Sequence, residues 1–121
     1  MKTLLVFVLV AIGVTTVIAQ DRGPQSGNDL LRKCENVLSS STETVDSAFC
    51  LGHISGFFEG LSLKVSEQST NLTCYPESPV TAAQLLRIVV KYMQDHPELL
   101  HHPYKFLVAD ALSEAFPCPQ L

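Results

Sequence analysis

Four cysteines in a short chain, at positions 34, 50, 74 and 118, constrain the fold more than any other sequence feature. A length of 121 residues favours a single domain. In an oxidising compartment four cysteines form two disulfides, whereas in the cytoplasm they stay reduced or bind a metal. The compartment in which the chain folds therefore decides what holds its core together.

Residues 1–19 have the pattern of a secretory signal peptide. Lys2 supplies the positive charge, residues 3–17 are almost wholly apolar, and cleavage is expected after Ala19. A membrane anchor is the alternative reading, but polar residues follow the apolar run at once, without a basic stop-transfer cluster. We therefore expect a periplasmic or secreted protein with no membrane segment after cleavage. Residues 20–27 contain glycine and proline and are expected to form a flexible leader.

Apolar residues at helical spacing predict four main helices and no strand. The stripes lie in residues 30–38, 43–65, 82–96 and 103–115, with a short helical turn at 97–101. Thr81 and Gln84 have the spacing of a capping box at the start of the third helix, and Pro103 suits the first position of the last helix. The predicted fold is all-α, a small bundle of four main helices plus one short helix formed by residues 28–121.

Three glycines in the second predicted helix, Gly52, Gly56 and Gly60, are spaced by four residues and lie on one side of it. Each costs about 1 kcal/mol relative to alanine in a helix interior. The row therefore predicts that another helix packs closely against that side. In hydrocarbon this spacing indicates transmembrane dimerisation, but His53, Glu59 and Lys64 interrupt the apolar run, so we interpret it as packing in water.

Four cysteines allow three disulfide pairings, and the sequence alone does not choose among them. Packing favours Cys34 with Cys50, which closes the first helical hairpin. Cys74 then pairs with Cys118 and joins the loop before the third helix to the C-terminal tail. The chain-entropy estimate gives these two loops about 3 and about 4 kcal/mol of stabilisation. The chain has no CxxC pair, so we expect no zinc site.

No arrangement of residues indicates catalysis, and we expect neither an enzyme nor a cofactor. His96, His101 and His102 cluster near carboxylates, but their spacing does not form a helical metal-binding pair. The serines lack the frame of a nucleophile elbow. A net charge of −4 argues against a nucleic-acid partner, because nothing would neutralise a row of phosphates.

Several short motifs follow one another in a characteristic order between Leu30 and Cys118. They are Cys50-Leu51-Gly52-His53-Ile54-Ser55-Gly56-Phe57, Cys74-Tyr75-Pro76, Thr81-Ala82-Ala83-Gln84-Leu85, Val90-Lys91-Tyr92, His96-Pro97-Glu98 and Ala115-Phe116-Pro117-Cys118. Their order and spacing, behind a signal peptide, resemble the Rap/Tai family of type VI secretion immunity proteins. His53 occupies a position where members of that family often have tyrosine.

The resemblance implies a small periplasmic all-α protein of Gram-negative bacteria with disulfides, often a homodimer. The best-known members bind and inhibit peptidoglycan amidase effectors that neighbouring cells inject, and so protect the producer. The partner implied for this chain is therefore a secreted peptidoglycan amidase, and the function is inhibition by binding.

An inhibitor of this kind needs a rigid scaffold and a projecting segment that fits a groove of its target. The projecting candidates are the loops at residues 68–77 and 95–102. We expect four side chains of the second loop to approach the catalytic Cys/His pair of an amidase. These candidate partner-binding residues are Asp95, Glu98, His101 and His102.

A small periplasmic acid-stress chaperone is the alternative function for a disulfide-linked helical chain of this size. It would work by loosening at low pH and exposing apolar surface. Far- and near-UV spectra at low pH distinguish the two functions, because a chaperone loosens under acid and a rigid inhibitor stays packed.

Overall fold

The chain folds as an all-α bundle in the computed structural model, which describes residues 23–63 and 73–119. Its helices are α1 (Gly27–Cys34), α2 (Val45–Ser62), α3 (Ala82–Asp95) and α4 (Tyr104–Ala115), with a 3₁₀ turn at Pro97–Leu99. The predicted fold class is confirmed. The predicted signal peptide lies outside the described residues. Within them, no helix has both the length and the apolar character needed to cross a bilayer.

Side-chain caps determine where α2 and α3 begin. The Thr44 hydroxyl accepts a hydrogen bond from the backbone N–H of Ser47, and the Ser47 hydroxyl accepts one from the backbone N–H of Thr44. The helix therefore starts at Val45, two residues later than its predicted start. Thr81 caps α3, because its hydroxyl accepts from the backbone N–H of Gln84 at 3.2 Å, and this confirms the Thr81 half of the predicted capping box.

The start of α1 is fixed by a reciprocal capping box. The Ser26 hydroxyl accepts from the backbone N–H of Asp29, and the Asp29 carboxylate accepts from the backbone N–H of Ser26. Further bonds reach that carboxylate from the Ser26 hydroxyl, the Gln25 N–H and the Arg32 guanidinium. Led by the backbone bond from Ser26, these contacts lower the pKa of Asp29 from 3.8 to about 2.

The first N–H groups of α1 bond to the segment that connects α3 to α4. The N–H of Gly27 donates to the carbonyl of His102 at 3.0 Å, and the N–H of Asn28 donates to the carbonyl of Leu100 at 2.9 Å. A helix N-terminus leaves such N–H groups without partners inside the helix. Residues 25–27 are therefore part of the folded domain, and the predicted leader at residues 20–27 extends too far.

The hydrophobic core lies where each helix contacts the other three. Its fully buried side chains are Leu30, Ile54, Phe58, Leu86, Val89, Met93, Val108 and Leu112. Burying one large aliphatic or aromatic side chain stabilises a fold by about 1.5–3 kcal/mol. The core thus holds all four helices in one unit and positions the connecting segments on its surface.

Two disulfides link the helices to one another and to the tail. They join Cys34 to Cys50 and Cys74 to Cys118, the pairing that packing favoured. Cys34 and Cys50 lie within the core, each at most 1% exposed. The backbone N–H of Cys74 also donates to the carbonyl of Phe116 at 3.0 Å, so the second disulfide closes a junction that the backbone already forms.

The predicted close packing at the glycine row is wrong. Gly52, Gly56 and Gly60 are exposed, and a Cβ built at any of them meets no heavy atom of the described residues within 4 Å, apart from the neighbouring backbone of α2 itself. None of the three has a positive φ. The row faces away from the other helices because α2 packs against them through Ile54 and Phe58, which lie on a different side of the helix.

Gly27 is the glycine that the fold requires, which predicts opposite effects of alanine at two positions. In Gly27→Ala the new Cβ meets the Cδ1 methyl of the buried Leu107 and lies 3.1 Å from the Cα of Leu100. We expect the free energy of unfolding to fall by about 1–3 kcal/mol, as for overpacked cores. In the control Gly52→Ala it rises by about 0.5–1 kcal/mol, since the site is open.

Urea unfolding with both disulfides intact measures the two variants. Equal stability of Gly27→Ala and the wild type would contradict the close approach between α1 and the connecting segment.

Candidate functional site

The four predicted partner-binding residues lie on the segment between α3 and α4, residues 95–102, which we name the histidine segment. α3 ends at Asp95 because Pro97 cannot continue it, and the chain turns through Pro97–Leu99. Leu100 is buried, whereas Glu98, His101 and His102 are exposed. The buried Leu100 thus lies between the exposed Glu98 on one side and the exposed His101 and His102 on the other.

One ion pair and one contact with an imidazole position the carboxylates of the histidine segment. Asp95 accepts from the Lys91 ammonium at 2.6 Å, across one turn of α3. The Nδ1 of His96 lies 3.2 Å from an Oε1 of Glu98. The pKa of Glu98 is lowered by its own backbone N–H and then by the His96 imidazole, so this exposed carboxylate is ionised at neutral pH.

The two histidines at the end of the segment lie side by side. The ring centroids of His101 and His102 are 4.1 Å apart, and both side chains are exposed. Among the described residues, no group of three or more His, Cys, Asp or Glu side chains could hold a metal ion. The arrangement exposes two adjacent hydrogen-bonding rings on the surface.

The surface beside the histidine segment is acidic. Burial raises the pKa of Tyr92, and the carboxylates of Asp110, Glu114 and Glu98 raise it further. Carboxylates from α4 and from the histidine segment therefore act on the same phenol. A partner that presents positive charge to this surface is electrostatically favoured.

The backbone of the histidine segment is held along its length. The N–H of Leu99 donates to the carbonyl of His96 at 3.0 Å, and the N–H of His102 donates to the carbonyl of Leu99 at 2.9 Å. The bonds from Gly27 and Asn28 in α1 add to these. A segment fixed in this way loses little conformational entropy when it binds.

The other projecting loop predicted from the sequence, residues 68–77, is described only from Thr73 onward. The Thr73 side chain is buried, with its hydroxyl 2.8 Å from the Ser62 hydroxyl. Tyr75 packs edge-on against Phe58 at 4.9 Å between ring centroids, and a hydrogen bond to Glu59 raises its pKa. The described part of this loop is thus anchored to α2.

A groove of about 710 Å³ between α2 and α4 was not predicted from the sequence. We name it the aromatic groove, and its lining residues are Gly23, Pro24, Gln25, Phe49, His53, Pro103, Tyr104, Lys105 and Phe106. His53 stacks on Phe49, with centroids 4.9 Å apart, and its Nε2 lies 3.0 Å from the Tyr104 hydroxyl. A histidine, a tyrosine and a phenylalanine thus form one ordered set of rings.

The sequence indicates the α2 side of this groove but not the α4 side. Phe49, His53 and Phe57 recur every four residues and so share one side of α2. Phe49 and Phe57 are half-buried on this side, whereas Val45, one turn earlier, is 86% exposed. Tyr104 lies 51 residues further along the chain, and no local pattern indicates that its ring meets His53.

His53 makes the stability of the fold depend on pH. Burial lowers its pKa below the ordinary 6.5. As the pH falls below about 6.5, the unfolded chain therefore takes up the proton more readily than the folded chain, and stability is lost down to the lowered pKa. In His53→Phe, which keeps a ring against Phe49, we expect a smaller loss.

Urea unfolding at about pH 7.5 and about pH 5.5 measures this difference. The control Gly52→Ala changes an open position on the same helix, leaves His53 in place and should lose as much stability between the two pH values as the wild type. An equal loss in the wild type and in His53→Phe would show that His53 is not the residue responsible.

Comparison with known proteins identifies the family. The model of the Rap1a immunity proteins matches residues 26–118. The match begins at the cap of α1 and ends at the cysteine that closes the second disulfide. It therefore includes the histidine segment and most of the aromatic groove. No curated protein and no solved structure matches the chain. The chain belongs to the Rap1a immunity protein family.

Proposed function

We propose that this chain is a type VI secretion immunity protein that works in the periplasm and inhibits a peptidoglycan amidase effector. Membership in the immunity family implies a protein effector as the partner and binding as the mode of action. The family match over residues 26–118 is the observation that carries this proposal. The proposal also specifies an amidase as the effector, the periplasm as the compartment and the histidine segment as the contact surface.

The periplasmic location is supported by the oxidation state of the cysteines. All four are paired, and Cys34 and Cys50 are paired inside the core. Structural disulfides persist in the periplasm and are rare in the cytoplasm. The signal peptide predicted at residues 1–19 would direct the chain to that compartment, and cleavage after Ala19 would release it there.

The histidine segment supports inhibition by occupation of an active-site groove. Glu98 is an exposed, ionised carboxylate, and His101 and His102 are exposed rings on the same turn. A carboxylate of this kind would bond to a protonated catalytic histidine of an amidase more strongly than a neutral group would. The segment would then exclude substrate from the groove, and the inhibitor would need no chemistry of its own.

The proposal predicts that Glu98→Lys/His101→Ala binds and inhibits the amidase about tenfold less well or worse. Both side chains are exposed, so the midpoint of urea unfolding should not change. Titration calorimetry and hydrolysis of purified peptidoglycan measure binding and inhibition by the amidase encoded nearest to this gene. The matched control is Glu43→Lys, an equally exposed charge reversal before α2 that should leave both unchanged.

Two results would contradict parts of the proposal. Full inhibition by the double variant would exclude the histidine segment from the interface. Failure of the wild-type chain to bind the amidase would exclude that effector. A homodimer belongs to the same proposal, and light scattering of the purified mature chain measures it.

A further inference from the structure

We propose that the aromatic groove is a second docking surface for the same effector, and that it takes an extended segment with an apolar side chain next to a carboxylate. This inference rests on the proposed function. It goes beyond that function by adding a contact surface that begins at Pro103, directly after the histidine segment. It also specifies which side chains the partner presents there.

The apolar part of the groove is open and rigid. Phe106 is 56% exposed at its rim, while Phe49 and Tyr104 are half-buried in its wall. The N–H of Tyr104 donates to the carbonyl of Gln25 at 3.2 Å, which holds the α4 side of the groove against the segment before α1. The contact of 3.0 Å between the Nε2 of His53 and the Tyr104 hydroxyl joins α2 to α4. Grooves lined by aromatic rings bind extended peptides by taking up their apolar side chains. A volume of about 710 Å³ is of the size that binds ligands with several such groups.

The charges beside the groove indicate a carboxylate in the partner. On one side, the Lys33 ammonium lies 5.4 Å from the ring centroid of Phe49 and pairs with the Asp46 carboxylate at 2.7 Å. On the other, the Lys105 ammonium lies 5.3 Å from the ring centroid of Phe106. Within the described ranges no carboxylate pairs with Lys105.

In both places a lysine ammonium lies over a phenylalanine ring. Lys33, over Phe49, also pairs with the carboxylate of Asp46, whereas Lys105, over Phe106, has no such carboxylate among the described residues. A partner segment that seats an apolar side chain against Phe106 would place a neighbouring carboxylate on Lys105. The bound segment would then reproduce the arrangement of Lys33, Phe49 and Asp46.

The groove lies next to the histidine segment, and this indicates that the same effector occupies both. The histidine segment ends at His102, and Pro103 is the first residue of α4's side of the groove. Ser26 pairs with Pro103 as a single antiparallel bridge, so the two surfaces are joined by an ordered backbone. A partner bound to His101 and His102 therefore has the groove directly beside it.

Photocrosslinking tests the occupant. Phe106 is replaced by p-benzoylphenylalanine in the mature chain, which is irradiated in complex with the amidase encoded nearest to this gene. We expect an adduct on the amidase, at a residue within a few positions of an Asp or Glu. The matched control carries the same replacement at Leu63, which is 67% exposed at the far end of α2, and should give no such adduct.

A charge reversal tests the carboxylate separately. Lys105→Glu should raise the Kd for the amidase about tenfold, while Arg87→Glu, an exposed reversal on α3, should leave it unchanged. An unchanged Kd for Lys105→Glu would overturn the paired carboxylate.

The outcomes separate this inference from the proposed function. A complex that forms without an adduct at position 106, or with an adduct only to a second copy of this chain, overturns the groove as an effector surface and leaves the proposed function standing. Failure of the wild-type chain to form a complex excludes this amidase as the effector, and so counts against the proposed function rather than against the groove alone.

Discussion

The fold depends on the contact between the N-terminus of α1 and the segment that enters α4. Two N–H groups that a helix leaves without partners, those of Gly27 and Asn28, donate to carbonyls of the connecting segment. The contact is possible because Gly27 lacks a Cβ, since Leu107 and the backbone of Leu100 occupy that space. The absence of a side chain at Gly27 thus allows the N-terminus of α1 to pack against the segment that leads into α4.

This contact organises both candidate surfaces. The carbonyls that accept the two bonds belong to Leu100 and His102, so the histidine segment cannot move away from α1 without breaking them. On the other side of Pro103, the bond from Tyr104 to Gln25 forms the edge of the aromatic groove. The disulfide between Cys34 and Cys50 secures α1 to α2 at its other end. These bonds and the disulfide therefore hold the backbone in place at both proposed surfaces.

The sequence predicted interactions between residues close together in the chain better than interactions between residues far apart in the chain. The cap at Thr81 is local, because donor and acceptor are three residues apart, and it was confirmed. The helices followed from local apolar periods, whereas the sequence allowed three disulfide pairings and only the expected packing favoured the one observed. The glycine row was misinterpreted because spacing shows which residues share a side of a helix, but not whether that side is covered. The groove was missed because His53 and Tyr104 meet only in the folded chain.

The two surfaces differ in charge, and that difference bears on specificity. Glu98, Asp110 and Glu114 make the area around the histidine segment negative, whereas Lys105 puts a cation at the groove. A partner that satisfies both must present positive and negative groups at matching positions, and one with either charge reversed would meet repulsion. Inhibition by an acidic segment alone would suit any target with a basic active-site groove. The second surface would restrict binding to one effector, which is what protection against a particular toxin requires.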